Sequence, residues 1–109
     1  MGTITEIVRP KFAIGELVHH QRFNYRGVIV DVDPVFSGSD EWYEQVAKSR
    51  PPKDEPWYHV LVHDASQETY VAEQNLSGEE SVEPVNHPLL DEFFVDFEKG
   101  HYVTGRQPN

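Results

Sequence analysis

The apolar positions of this chain come in short bursts separated by Gly, Pro, Asn and Asp, and almost nowhere at the spacing of a long amphipathic helix. Leu17-Val18 follow Gly15 and open a strand. Arg22-Phe23-Asn24-Tyr25-Arg26-Gly27 reads as a turn-like connection, and Val28-Ile29-Val30 with Asp31-Val32-Asp33 makes the clearest strand of the sequence. Asp33-Pro34 ends it, because the residue before proline is pushed into extended or turn geometry. Residues 16–33 are therefore predicted to form a hairpin-like pair. Ser39 ahead of Asp40-Glu41 is a helix N-cap with acids in the first turn, which predicts a short helix through Ala47 with Trp42, Tyr43 and Val46 near one face.

Three prolines between Arg50 and Pro56 make that stretch a loop, since they can neither extend a helix nor sit in a central strand. Trp57 to His63 is a second strong strand, and after the turn residues Asp64 to Gln67 the extended pattern resumes over Glu68 to Ala72, predicting a second hairpin. Beyond it, Glu73 to Leu76 is ambiguous, Ser77 to Glu83 reads as an acidic loop, and Val82 to Val85 as a short edge strand. Pro88 suits the first position of a short helix whose Leu89, Phe93 and Phe97 would close the core. Gly100, Gly105 and Pro108 oppose a helix running to the end. The segment from Asp91 therefore reads either as a partly docked tail or as a fixed helix over 88–97, with loose residues after Gly100. Five or so strands, one helical insertion and no βαβ alternation predict a mainly β fold. The expected form is a small SH3-like barrel with a short helical insertion and a C-terminal helical or extended tail. Its expected boundaries are a flexible N-terminus over 1–10, one barrel domain over 11–97 and a flexible tail over 98–109.

Composition narrows the function classes. The 109 residues suffice for one core, and thirteen aromatic rings are available to fill it. The absence of cysteine removes disulfides, thiolate nucleophiles and cysteine-bearing zinc sites, and suits a reducing cytosol. No secretory signal and no apolar run long enough to span a bilayer is visible, so a cytoplasmic location without membrane contact is expected. Nineteen acids against nine Lys and Arg give a net charge of −10. The N-terminal thirty residues run against this trend, with Arg9, Lys11, Arg22 and Arg26 against Glu6 and Glu16. Any nucleic-acid contact is thus expected on that face, and to be strongly salt-sensitive.

Several constellations carry candidate chemistry. Lys11, His20, Arg22 and Arg26, with Phe23 and Tyr25 interleaved, form the basic, aromatic-spaced patch expected of a nucleic-acid binder, although such groups are more often a solvated face. Trp42, Tyr43, Trp57 and Tyr58 are candidate partner contacts beside a Pro-rich loop, with core packing as the default for at least one of each pair, and Phe93 is an apolar anchor of the tail. His59 and His63 lie about 13 Å apart on one strand face, too far for one zinc ion. Asp31 and Asp33 share a strand face about 7 Å apart without a nucleophile or a phosphate loop. Asp33 is expected to organise the turn at Pro34, and Asp31 to point outward. No metal, cofactor or catalytic group is expected.

The blocks Lys11-Phe12-x-Ile14-Gly15, Val18-x-His20, Tyr25 to Pro34, Pro56 to Leu61, Tyr70 to Glu73 with Asn75-Leu76, and His87-Pro88 occur in an order that resembles the HspQ family, also called YccV-like or hemimethylated-DNA-binding domains. The resemblance runs from about Lys11 to Phe97. It implies a small barrel without catalytic activity, a heat-shock protein of protein quality control that enhances the specificity of the Lon protease and can be its substrate. It also implies binding to hemimethylated DNA near replication origins. The partners expected on this reading are an ATP-dependent protease (Lon) and hemimethylated DNA, and a homo-oligomer is compatible with the sequence.

Overall fold

The computed structural model describes residues 9–105. Strand β1 (Leu17–His20) turns into β2 (Tyr25–Asp33), helix α1 (Asp40–Val46) follows, and β3 (Trp57–Val62) and β4 (Glu68–Ala72) form the second hairpin. A 3-10 turn (Glu73–Asn75) leads into β5 (Leu76–Gly78), and the one-turn helix α2 (Leu90–Phe93) precedes β6 (Phe94–Glu98) and β7 (His101–Thr104). The first five strands make an antiparallel sheet in the order β4-β3-β2-β1-β5, and β6 and β7 pair separately. The fold is mainly β, as the sequence predicts. No ladder joins β4 to β5 among the described residues, so the sheet is not closed into a barrel and β4 is an edge strand.

The unbroken apolar run of β2 has a structural reason: both faces of the sheet are covered. Val28 and Val30 join Leu17, Leu61, Phe94 and Tyr102 in one core, while Ile29 joins Val18, Tyr58, Val60, Val71 and Leu76 in another. A third cluster of Tyr43, Trp57 and Ala72, flanked by Phe36, Trp42 and Tyr70, fixes α1 to the end of β3 and β4. Ser39 caps α1 as predicted, its Oγ accepting from the Trp42 amide at 3.1 Å. The prolines of the loop contribute acceptors rather than breaks alone: the Pro51 carbonyl receives the Tyr43 hydroxyl at 2.6 Å and the Pro52 carbonyl receives Trp57 Nε1 at 3.0 Å.

Three expectations for the C-terminal half are corrected. Residues 82–85 form no strand; the fifth strand lies earlier, at Leu76–Gly78, where it pairs with β1. Leu89, Leu90 and Phe97 do pack on the core, but Phe93 is 36% exposed and Phe94 is the buried neighbour. The helix stops after one turn because the chain converts to a hairpin, closed by Lys99 and Gly100 at positive φ. Residues 101–104 are therefore a paired strand rather than a loose end. Tyr102 is buried and its hydroxyl bridges the amide and carbonyl of Val85. Gly15 ties this hairpin to the sheet. At φ +93° it donates to the Ile29 carbonyl and accepts from the Tyr102 amide, each at 2.8 Å, and a Cβ there would collide with the Tyr102 carbonyl. The expected flexible ends, 1–10 and 98–109, extend outside the described residues at 1–8 and 106–109.

Candidate functional site

The open edge of β4 forms the floor of a groove of about 650 Å³. On one side stand Trp42, Val46 and Lys48, from α1 and the residues after it; on the other stand Arg22 and Phe23, from the β1–β2 turn. The geometry of the edge follows from the ladder. The Val62 amide reaches the Gln67 carbonyl at 3.1 Å and the Glu73 amide reaches the Pro56 carbonyl at 3.0 Å, so residues 67, 69, 71 and 73 turn their backbone groups toward β3. Alternation then aims the N–H and C=O of Glu68 and Tyr70 and the N–H of Ala72 outward, where no described residue pairs with them, while the Ala72 carbonyl caps the 3-10 turn that follows.

The walls are held in place by specific bonds. His20 is buried, and its Nδ1 accepts the amides of Arg22 at 3.2 Å and Phe23 at 3.1 Å, which fixes the turn and places the ring proton on Nε2. The ring stacks on Phe23 with centroids 4.8 Å apart, yet Phe23 itself remains 72% exposed. Burial, and secondarily the Arg22 and His19 charges, hold the His20 pKa below its ordinary value of 6.5. Tyr25 bonds Thr69 Oγ1 at 2.7 Å across the sheet, and burial pushes its phenol up, partly offset by that bond. On the opposite wall Tyr70 lies between Trp42 and Trp57, with centroids 5.7 and 5.2 Å away. Its hydroxyl donates to Asp33 Oδ2 at 2.6 Å and accepts the Ser37 amide at 2.9 Å. Burial first, then the Asp33 carboxylate, raise its pKa well above the usual tyrosine range.

The sequence-predicted candidates separate on this map. His20, Arg22, Phe23 and Tyr25 from the basic patch meet Trp42 and Trp57 from the aromatic set in one groove. Tyr43 and Tyr58 are core residues; the Tyr58 hydroxyl donates to Glu73 and accepts the Phe12 amide. Trp57 is 1% exposed and acts as the groove's backing. Phe93 lies apart, beside Ile14 and Val95 in a second hollow. Lys11 is exposed outside the groove, and its backbone amide is bonded to Glu73. Arg26 is neutralised locally: Glu79 Oε2 lies 3.0 Å from its Nε, the Glu83 carbonyl accepts from Nη2, and Glu79 also lies 3.7 Å from His19. Val46, Lys48, Gln67, Thr69 and Tyr70 belong to the site but are not singled out as site residues by the sequence; the extended pattern of Glu68 to Ala72 shows a strand there and not that it is an edge.

The same edge explains the acidic pair. Register places His59 opposite Asp31, and its ring nitrogens lie 3.3 Å from Asp33 Oδ2 and 3.2 Å from Glu68 Oε2. Ligand atoms of Asp31, Asp33 and His59 lie within 4.8 Å of one another, and these are the residues that could hold a divalent cation. Both His59 nitrogens and Asp33 Oδ2 already face protein partners, so the cluster serves as a brace behind Tyr70. Asp33 thus anchors a cross-strand network instead of the expected turn at Pro34. Asp31 is exposed, as predicted.

Comparison with known families gives a match to the family described as hemimethylated DNA-binding protein YccV like, over residues 10–101. The chain belongs to the YccV-like family. Its groove residues all lie inside the matched span, as do Gly15, Arg26 and Glu79. The family description names a DNA-binding protein and no enzymatic activity. No helix among the described residues of this YccV-like chain is long and apolar enough to cross a membrane.

Proposed function

We propose that this YccV-like chain is a non-catalytic accessory protein that binds protein segments in its β4 groove, serving an ATP-dependent protease of the Lon type in protein quality control. The observation that carries this reading is the groove: an open strand edge with unpartnered backbone groups, walled by Trp42, Tyr70 and Phe23. Aromatic side chains beside a polar rim are what a small domain uses to hold another polypeptide. Electrostatics favour the same reading, because Glu79 occupies Arg26, one of the cations of the basic patch. Turnover of an unfolded test substrate by Lon, measured with and without the chain, tests it; the expected result is faster turnover that is lost in Phe23→Ser. A gel shift on hemimethylated and unmethylated duplexes at physiological salt is the companion measurement. Clear preference for the hemimethylated duplex with unchanged turnover would overturn the proposal.

The second reading, recognition of hemimethylated DNA, is favoured by the family description and by the exposed Arg22 and Phe23 at the tip of the turn. One methyl group distinguishes hemimethylated from fully methylated sites, so this reading requires a shaped contact in the major groove as well as phosphate neutralisation. Steep loss of binding between about 50 and about 200 mM salt would be its signature.

A further inference from the structure

We infer that the occupant of the groove is an extended, acidic peptide strand that adds to the edge of β4, a deepening that rests on the protein-binding reading above. Three observations select this partner. The first is the edge itself. Glu68 and Tyr70 present donors and acceptors in alternation and Ala72 adds a donor, the pattern another β-strand satisfies. A phosphodiester chain offers acceptors with few donors and leaves the Glu68 and Tyr70 carbonyls unmet. The second is the wall chemistry. Side chains of an added strand alternate between its faces, one set meeting Phe23, Tyr25 and Thr69 and the other Trp42, Val46 and Tyr70. The bound segment therefore carries apolar residues at alternate positions.

The third observation is charge. Among the described residues Arg26, Arg50 and Lys53 form ion pairs, while Arg22 and Lys48 form none, and both of these line the groove from opposite walls. Among the described residues one acid lines it, Glu68, whose Oε2 faces His59. In a chain with nineteen acids, a groove with two unpaired cations and one engaged carboxylate is matched to carboxylates on its ligand.

The probe is an eight-residue peptide, acetylated and amidated at its ends, alternating Glu with Val or Phe, compared with the same peptide carrying Lys for Glu and with one N-methylated at alternate amides. Binding to the full chain is followed by titration and by residue-resolved amide exchange. The expected result is slowing of the Glu68, Tyr70 and Ala72 amides on adding the Glu peptide. The Lys peptide, the N-methylated peptide and the double variant Arg22→Glu with Lys48→Glu should each bind about tenfold or more weakly. Ala72→Pro removes one outward N–H at a residue whose φ of −69° already suits proline, and should weaken binding similarly. The exposed charge variant keeps the test open if this buried substitution fails to fold. Binding without slowing of those three amides would overturn the inference, as would equal affinity for the Lys peptide. Slow exchange of the same amides in the free chain would also overturn it, because a second copy or the chain's own terminus would then fill the edge. Altered Lon turnover without peptide binding at β4 would refute the inference and leave the accessory reading standing; peptide binding without any effect on turnover would do the reverse.

Discussion

Acidification should loosen the β1–β2 turn through His20, and the structure sets both the sign and the ceiling of the effect. The buried ring accepts two backbone amides at Nδ1, so adding a proton there turns both acceptor contacts into donor-against-donor contacts and places a charge beside Arg22 and His19. The folded-state pKa is held below 6.5, so the unfolded chain takes up the proton first as the pH falls. The stabilising contribution of His20 is fully present above about pH 6.5 and is lost as the pH drops toward and through the folded-state pKa. In that window the slope has a ceiling of about 1.4 kcal/mol per pH unit. Two hydrogen bonds of about 1 kcal/mol each suggest that His20→Ala costs about 2 kcal/mol at neutral pH, with lost stacking in addition. Urea unfolding of both proteins between about pH 7.5 and about pH 5.5 measures the difference, which cancels the carboxylates common to both. The gap between wild type and His20→Ala should narrow as the pH falls. A constant gap, or an imidazole that titrates at or above 6.5 in the folded protein, would refute the reasoning.

Other expectations follow from single contacts. Gly15→Ala should cost about 2 kcal/mol or more, because φ +93° and the Tyr102 carbonyl both oppose a side chain, and thermal unfolding would show it. Tyr70→Phe should cost about 1–2 kcal/mol by leaving the Asp33 carboxylate and the Ser37 amide without their shared hydroxyl, read as a lower urea midpoint. Glu79→Gln should release Arg26 and His19, raising affinity for any duplex at low salt and steepening the logarithmic salt slope by about one; unchanged duplex binding would show that Glu79 does not mask a phosphate contact.

The sequence by itself determined the elements whose signals are local. Val28-Ile29-Val30 and Trp57 to Val62 are strands because branched and aromatic residues dominate them. Ser39 starts α1 because its own side chain satisfies the helix end, and the ordered blocks from Lys11 to Pro88 revealed the family. It could not determine the ends of the sheet. Closure depends on whether β4 reaches β5, a matter of twist and shear summed over all five strands. The hairpin of β6 and β7 escaped because Gly100 is at once a helix breaker and the turn residue of a strand pair, and only Gly15 and Val85 elsewhere in the chain show which role it takes. The groove was legible as two lists of candidates, one basic and one aromatic, and not as one site. Arg22 and Lys48 lie 26 positions apart and reach the same edge only because antiparallel pairing brings the first turn beside β4 while Trp57 and Ala72 hold α1 across from it. Tertiary packing decides such neighbours, since long-range contacts leave no periodic trace in either partner.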